Sequence, residues 1–240
     1  MTVLSLRNLV KIYNGKRVVD AVDLDISSGS VVGLLGPNGA GKTTTFYMTV
    51  GLIRPERGDV FLDEENITGY PMHQRARIGI GYLPQEASVF GKLTVYQNIM
   101  AILETLTSNK YEQKQKAESL LEELGIHRLI QQKAGLLSGG ERRRLEISRA
   151  LATEPSFMLL DEPFAGIDPL AVIDIQNIIR HLSDRGIGVL ISDHNVRETL
   201  GVCDQAYILN NGQIIESGAP DVIAASPTAR QIYLGDHFRL

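Results

Sequence analysis

One short glycine-rich segment restricts the fold of this chain more than any other feature. Residues 36–43 are Gly-Pro-Asn-Gly-Ala-Gly-Lys-Thr, which satisfies the G-x-x-x-x-G-K-[ST] pattern of a phosphate-binding loop. Residues 31–35, just before it, are almost entirely apolar, and we expect residues 44–50, just after it, to form the helix that this motif requires. A strand covered on both faces, followed by such a loop and a helix, is typical of a parallel α/β sheet. The sequence therefore predicts an α/β core with a phosphate site at one edge of the sheet.

The residue types in this loop suit the triphosphate of ATP. Glycines let the backbone N–H groups point at phosphate oxygens, and the N-terminus of the following helix adds positive potential. We expect Lys42 to reach the β- and γ-phosphates and the Thr43 hydroxyl to ligate Mg²⁺. A glycine-rich turn that binds nothing is the alternative, and the strand before it and the Lys-Thr pair after it argue against that. The predicted ATP contacts are Gly36, Pro37, Asn38, Gly39, Ala40, Gly41, Lys42, Thr43 and Thr44.

A second segment places two acids at the end of an apolar run. Residues 157–160 are Phe-Met-Leu-Leu, and Asp161 and Glu162 follow them. The carboxyl edge of a parallel sheet is where α/β proteins bind ligands. We expect Asp161 to hold Mg²⁺ and Glu162 to polarise the water that attacks the γ-phosphate. Taken alone, the two acids could equally begin a loop, with Pro163 ending the strand, but the phosphate-binding loop elsewhere in the chain argues against that.

Composition argues against a nucleic-acid partner, an internal disulfide and a membrane-spanning helix. The 240 residues carry a formal charge of -4, only 6% of them are aromatic and none is Trp, which argues against a nucleic-acid partner. The single cysteine, Cys203, cannot form an internal disulfide and is interpreted as a small core residue. No segment approaches the run of about 20 apolar residues that a membrane-spanning helix needs. We therefore expect any membrane contact to be made through partner subunits.

The pattern along the chain divides it into strand-rich and helical parts. Strand patterns occupy residues 3–9, 17–22, 31–35 and 60–62, whereas residues 94–124 have helical spacing. Apolar runs at 206–209 and 213–216 flank Asn211-Gly212, a strong signal for a hairpin. The helical stretch looks like an insertion between two parts of one α/β core.

The segment Leu137-Ser138-Gly139-Gly140-Glu141 lies between the helical stretch and the strand that ends at Asp161. It resembles the signature motif of the ATP-binding-cassette family, and the resemblance extends over essentially the whole chain. In that family, Ser138 and the backbones of Gly139 and Gly140 would begin a helix aimed at the γ-phosphate held by the opposing subunit. Serine is also a good N-cap residue. Glu141 departs from the glutamine that many members carry there.

The resemblance assigns further residues in chain order. Tyr13 would stack on adenine with Val18 on the same surface, although Tyr13 could be an ordinary strand aromatic. Gln85 would sense Mg²⁺ and link to the membrane subunit, and residues 165–168 would cross the dimer interface, with Asp168 near the nucleotide. His194 would contact the γ-phosphate, whereas a lone histidine at a strand end is more often structural. The implied catalytic residues are Glu162, His194 and Gln85, and the implied Mg²⁺ ligands are Thr43, Gln85 and Asp161.

The resemblance also implies the architecture and the assembly. The expected fold is a P-loop NTPase (RecA-like) core with an antiparallel β subdomain and a helical insertion subdomain that carries the signature motif. A single domain would span residues 1–240, with the core lobe in 1–84 and 155–240 and the helical subdomain in 85–154. The expected protein is an ATP hydrolase that works as a homodimer with ATP and Mg²⁺. It would drive two transmembrane permease subunits from the cytoplasmic face of the inner membrane.

A finer resemblance concerns the transporter that this ATPase serves. Residues 137–151, 164–169, 172–175, 193–200 and 233–240 are similar to those of the cytoplasmic ATPases of lipopolysaccharide export systems. The run Arg142-Arg143-Arg144 is interpreted as a solvated helix face, with Arg142 one turn before Glu146. Phe90 and Leu93 could receive a helix of a membrane subunit or cover the chain's own core.

Three alternatives to this assignment can be compared with the sequence. The first is the ATPase of a branched-chain amino-acid importer, which has a similar segment at residues 165–168. The second is a soluble cassette protein of translation or DNA repair, a class that usually has two cassettes or a long coiled coil. The third is a regulatory module without turnover, which would be expected to lack Glu162 or His194; both are present.

Overall fold

Two β-sheets form the frame of the protein. The computed structural model describes residues 1–235, 238 and 240. A four-stranded antiparallel sheet has the order β2-β1-β4-β5, and a six-stranded sheet has the order β10-β9-β3-β8-β7-β6. The strands are β1 (Val3–Tyr13), β2 (Lys16–Ser27), β3 (Val31–Leu35), β4 (Arg57–Leu62), β5 (Glu65–Asn66), β6 (Ile80–Leu83), β7 (Phe157–Asp161), β8 (Gly188–Ser192), β9 (Gln205–Asn210) and β10 (Gln213–Gly218).

The six-stranded sheet determines where the functional residues lie. Its strands β9, β3, β8, β7 and β6 are parallel, and β10 pairs with β9 in the antiparallel sense. All residues of β3, β7 and β8 are buried, as expected for strands covered on both faces. Because parallel strands end at the same edge, the segments that follow β3, β6, β7 and β8 meet there.

Helices pack against this sheet, and several of them also pack against one another. They are α1 (Lys42–Val50), α2 (Met72–Arg77), α3 (Val95–Leu106), α4 (Lys110–Glu123), α5 (Gly139–Leu151), α6 (Pro169–Asp184), α7 (Val196–Leu200), α8 (Pro220–Ala225) and α9 (Pro227–Ala229). Helices α3, α4 and α5 pack around the fully buried Ile99, Leu121 and Leu145. Their core is continuous with that of β7 and α6, so the helical region is anchored on the sheet.

A buried arginine connects α1 with the antiparallel sheet region. Arg75 is only 1% exposed and has no acidic partner among the ion pairs of the described residues. Its guanidinium donates to the carbonyl oxygens of Met48 and Thr49 at the end of α1, and to those of Tyr70 and Thr68. Burial lowers the pKa of Arg75 to about 10, so it stays charged at neutral pH. A positive charge at the C-terminus of α1 complements the helix dipole.

Most of the predicted architecture is confirmed. The α/β core, the antiparallel sheet, the hairpin at Asn211-Gly212 and the helical region that carries Ser138 are all present. Within the described part of the chain, no helix is long and apolar enough to cross a membrane. The subdomain boundaries at residues 85 and 154 stay predictions. The similarity noted for residues 233–240 includes Asp236, His237 and Arg239, which lie outside the described residues.

The prediction of a solvated face at Arg142-Arg143-Arg144 is wrong for Arg143. Arg143 is buried, and it is Arg143, not Arg142, that pairs with Glu146. Arg144 is half-buried and pairs with Asp174, and Arg142 donates to the carbonyl oxygen of Leu137. Helix α5 is enclosed by α3, α4, α6 and β6, so few of its positions face solvent. Within this run Arg143 is therefore an interior residue, whereas Arg142 and Arg144 are partly exposed.

Candidate functional site

The glycine-rich loop forms an open cradle at the end of β3. Gly36, Gly39 and Gly41 have φ angles of 146°, 77° and 108°, a region that side chains rarely adopt. A Cβ at Gly36 would lie 2.0 Å from the carbonyl oxygen of Leu209, and one at Gly41 would lie 2.4 Å from that of Val18. Helix α1 begins directly after the loop with no side chain hydrogen-bonded at its N-cap, so its first N–H groups are available to an anion.

The lysine of this loop is held among backbone carbonyls. Lys42 is buried, and its Nζ donates to the carbonyl oxygens of Gly36 at 2.7 Å and Pro37 at 3.1 Å. Burial lowers the pKa of Lys42, while the charges of Glu162 and Asp161 oppose that effect. An ammonium group fixed inside a loop of amides fits the phosphates of a nucleotide.

The two acids after β7 have different surroundings. Asp161 is buried, and the Tyr82 hydroxyl lies 3.5 Å from its Oδ2. Burial, together with the charge of Glu162, raises the pKa of Asp161 to about 6. Glu162 has a left-handed φ of 46°, and its N–H donates to the carbonyl oxygen of Ser192 on the adjacent strand. The strained residue thus begins a sharp turn directly at the carboxyl edge of the sheet.

The three side chains predicted to be catalytic meet at one carboxylate oxygen. Gln85 Nε2 donates to Glu162 Oε2 at 2.8 Å, and His194 Nδ1 lies 3.3 Å from the same oxygen. These residues follow β6, β7 and β8, so the parallel sheet brings together positions that are distant in sequence. The structure therefore joins Gln85, Glu162 and His194 as one cluster.

A buried acid next to His194 supports this cluster and was not predicted. Asp193 is fully buried and accepts hydrogen bonds from the N–H groups of Phe164 and Asn195. It thereby ties the segment after β7 to the segment after β8. Burial raises its pKa, whereas these two hydrogen bonds lower it. Its sequence signal was the same as that of Asp161, an acid directly after an apolar strand.

Ser138 is the N-cap of α5 and forms a capping box with Glu141. The Ser138 hydroxyl donates to Glu141 Oε2 at 2.9 Å, the Ser138 N–H donates to the same oxygen at 3.0 Å, and Glu141 N–H donates back to Ser138 Oγ at 3.3 Å. These bonds hold the pKa of Glu141 below its ordinary value. The Glu141 carboxylate, which stands where many family members have glutamine, therefore caps the N-terminus of the helix that contains it.

The start of α5 packs against the first turn of α6 and the segment before it. A Cβ at Gly139 would lie 3.3 Å from the carbonyl oxygen of Gly166, and one at Gly140 would lie 2.9 Å from the Cβ of Ala171. Asp168 is the N-cap of α6 and accepts from the N–H groups of Leu170 and Ala171. Among the hydrogen bonds of the described residues, none joins Ser138 to the loop at 36–44.

The predicted adenine contacts lie on the strands beside the loop. Tyr13 ends β1 and is 45% exposed, with Lys11 Nζ 5.4 Å from the centre of its ring. Val18 is half-buried in β2, and its carbonyl oxygen limits the space at Gly41. The Tyr13 ring is exposed at the end of β1, where β1 pairs with β2 at Lys16, and is available for stacking.

The candidate Mg²⁺ ligands are oxygen donors of the kind that this ion prefers. They are the exposed Thr43 hydroxyl at the start of α1, the Asp161 carboxylate and the amide oxygen of Gln85. Within the described residues, no group of three or more His, Cys, Asp or Glu side chains could hold a metal alone. Mg²⁺ is usually bound by one or two protein oxygens together with substrate phosphates. The donor set therefore fits a metal that arrives with a nucleotide.

Together the cradle, the acids after β7 and the capped α5 define a nucleotide-binding cassette that hydrolyses ATP. A family model described as "ABC transporter" matches residues 19–165, and the chain belongs to that family. The crystal structure of the ADP conformation of MJ1267, an ATP-binding cassette of an ABC transporter, superimposes with a TM-score of 0.88 at 30% identity. That match covers 98% of this chain and 100% of MJ1267.

Two curated relatives are similar over their whole length. The lipopolysaccharide export system ATP-binding protein LptB of Acidithiobacillus ferridurans is 56% identical over 237 residues, which cover 99% of this chain and 98% of the relative. LptB of Escherichia coli strain K12 is 54% identical over 241 residues, covering 100% of both chains.

Proposed function

We propose that this protein is the ATP-hydrolysing motor subunit of a lipopolysaccharide export transporter. The observation that carries the proposal is full-length identity of 54–56% to proteins of that name. The likeness covers 98% or more of this chain and of each relative, so it extends beyond a shared ATPase core. A branched-chain amino-acid importer and a soluble cassette switch are the outcomes that would overturn this assignment.

ATP would bind along the edge that Gly36, Lys42 and the start of α1 form. Tyr13 and Val18 would contact the adenine, and the loop amides would hold the phosphates. Thr43, Asp161 and Gln85 would hold Mg²⁺, which neutralises part of the phosphate charge when bound. Three features of one sheet edge support this arrangement. They are the N–H groups at the start of α1, the Lys42 ammonium held by two carbonyl oxygens, and the oxygen donors of the candidate Mg²⁺ ligands.

In hydrolysis, Glu162 would accept the proton of a water as that water attacks the γ-phosphorus. The bond from water oxygen to phosphorus forms, the bond to the β-phosphate oxygen breaks, and ADP leaves. Gln85 and His194 would keep the Glu162 carboxylate in place, because both contact its Oε2. His194 would also donate to the transferred phosphate.

The active form would be a head-to-tail homodimer. One chain presents the cradle at residues 36–44 and, separately, the helix end at Ser138; no hydrogen bond within the described part of the chain joins the two. A second copy related by a two-fold axis would bring its Ser138, Gly139, Gly140 and Asp168 to the γ-phosphate. Binding of ATP would then join the subunits, and hydrolysis would separate them.

We expect Ser138→Ala to lower the turnover of ATP about tenfold, a loss of about 1.4 kcal/mol of transition-state stabilisation. It would also lose the N-cap, at a cost of about 1 kcal/mol in the free energy of unfolding. Steady-state phosphate release and urea unfolding measure the two effects. Thr94→Ala is the matched control, because Thr94 caps α3 through an equivalent box with Gln97. Equal turnover in the two variants would contradict a role for Ser138 at the phosphate.

The pathway can be tested by isolating the protein with its membrane partners. The tagged protein would be extracted from its host's membranes in mild detergent, and the proteins that co-purify would be identified by mass spectrometry. We expect two transmembrane subunits of a lipopolysaccharide exporter and a location on the cytoplasmic face of the inner membrane. Amino-acid permease subunits would leave the ATPase assignments intact but refute the pathway, and the absence of any membrane protein would refute the transport function.

A further inference from the structure

A buried ion pair lies inside α5, five residues beyond Ser138. Arg143 Nη1 is 3.2 Å from Glu146 Oε2, and the two side chains are only 7% and 3% exposed. Burial lowers the pKa of Arg143, and the charge of Glu146 opposes that change. The free energy needed to remove two charges from water exceeds the free energy of their attraction unless further hydrogen bonds stabilise both groups. The remaining bonds of the pair therefore indicate its purpose.

Those bonds enclose the segment that carries Gln85. Arg143 Nη1 donates to the carbonyl oxygen of Pro84 at 3.0 Å, and Glu146 Oε1 accepts from the N–H of Ser88 at 2.7 Å. Pro84 precedes Gln85 and Ser88 follows it by three residues. Both ends of this short segment are thus bonded to one ion pair.

The same arginine also reaches the strand of the acids. Arg143 Nη2 donates to the carbonyl oxygen of Asp161 at 3.2 Å, directly before Glu162. The donor and the acceptor of the Gln85–Glu162 hydrogen bond therefore sit on two backbones that one guanidinium joins. A shift of this group would change the separation of the two side chains.

Neighbouring side chains hold the rest of the segment to the helical region. Arg149, on α5, donates to the carbonyl oxygen of Ser88 at 2.5 Å. Asn98, fully buried on α3, accepts from the N–H of Phe90 and donates to its carbonyl oxygen. Residues 84–90 are thus bonded at several points to α3 and α5 and are expected to move with them.

We infer that Glu146, together with Arg143, is a positioning residue that sets the Gln85 amide against Glu162. Glu146 touches neither nucleotide nor metal in this scheme; it acts on the backbone that carries Gln85. The inference rests on the proposed function, because it assumes that Gln85 and Glu162 serve hydrolysis. Helix α5 would then have two roles: its N-terminus presents Ser138, and its interior ion pair positions Gln85.

Turnover of the purified full-length protein gives the first test. We expect Glu146→Ala to lower kcat about tenfold, since small displacements of catalytic groups carry penalties of that order or larger. KM for ATP should change less than twofold, because no hydrogen bond among the described residues joins the pair to the cradle at 36–44. Glu146→Gln keeps an acceptor for Ser88 and should recover part of the loss. If urea unfolding shows that Glu146→Ala is not folded, kcat of Glu146→Gln is the measurement that tests the inference.

Amide hydrogen exchange provides a readout independent of hydrolysis. In nucleotide-free protein, the peptide spanning residues 84–93 should exchange faster in Glu146→Ala, because Ser88 N–H loses its acceptor. Glu118→Ala is the matched control: Glu118 is a glutamate of the same helical region in an exposed pair with Lys114 at 3.9 Å. It should change neither exchange nor kcat. Unchanged exchange in Glu146→Ala would refute the inference.

A double-mutant cycle with Gln85→Ala separates positioning from general damage. If Glu146 acts through Gln85, adding Glu146→Ala to Gln85→Ala should lower kcat less than twofold further. Full multiplication of the two losses, or wild-type kcat in Glu146→Ala, would overturn the inference and leave the proposed function intact. Wild-type turnover in Glu162→Gln would instead refute the hydrolytic scheme on which it rests.

Discussion

Replacement of Glu162 by glutamine is expected to lower kcat for ATP by about three orders of magnitude, within the range for loss of a general base. Glutamine has nearly the same shape and can keep contacts with Gln85 and His194, but its amide cannot accept the proton of the attacking water. The variant should still bind ATP, because the cradle is unchanged. Bound ATP that is not hydrolysed should hold two subunits together.

Phosphate release and size-exclusion chromatography with ATP measure these two effects. Glu154→Gln is a suitable control, since Glu154 is also a glutamate with a left-handed φ, 52° against 46° for Glu162. Glu154 lies at the end of the helical region, and its ion-pair partner is Lys116, which is not a member of the catalytic cluster. Its kcat should equal that of the wild type. Turnover in Glu162→Gln close to the wild-type rate would contradict the assignment of the base.

Replacement of Gly36 by alanine is expected to weaken ATP binding about a hundredfold. The added Cβ would lie 2.0 Å from the carbonyl oxygen of Leu209, a backbone atom of β9 that cannot move without disturbing the sheet. The loop must therefore shift, which misdirects its N–H groups and the carbonyl that holds Lys42. Losing about two hydrogen bonds to a charged phosphate, at about 1.5 kcal/mol each, accounts for this magnitude.

Equilibrium titration with a fluorescent ATP analogue measures the affinity of this variant. Gly69→Ala is the matched control, because Gly69 has no other atoms within 4 Å of its added Cβ and no left-handed φ. Urea unfolding of both variants shows whether Gly36→Ala is folded when its affinity is measured. Wild-type affinity in a folded Gly36→Ala variant would be incompatible with the cradle as the phosphate site.

Local patterns were enough to predict most of the strands, the glycine-rich loop and the paired acids, although β5 was missed and β1, β2 and β4 are longer than predicted. Apolar runs followed by glycine or by acids produce the same local structure in many contexts, so β3, β7 and their following residues could be predicted from the sequence. The meeting of Gln85, Glu162 and His194 needed the family resemblance, because nothing in the sequence alone shows that β6, β7 and β8 are neighbours.

The residues that were missed depend on tertiary packing. Arg143 and Glu146 are three positions apart on a helix rich in charge, a pattern that usually indicates a solvent-exposed face. Their burial arises only because α3, α4, α6 and β6 surround α5. Asp193 follows an apolar strand as Asp161 does, but its hydrogen bond from Phe164 N–H could not be predicted, because Phe164 belongs to the segment that follows a different strand.

The capping box at Ser138 has a consequence for how the helix end would respond to anions. In the single chain, the Ser138 hydroxyl and N–H already donate to the Glu141 carboxylate. A phosphate that takes these donors must displace a bound carboxylate, so its binding is an exchange of one anion for another. Arg128, 3.4 Å from Glu141, is placed to receive the displaced group. Free phosphate and sulfate compete poorly in such an exchange, whereas a nucleotide already anchored on a second subunit brings its phosphate at high local concentration.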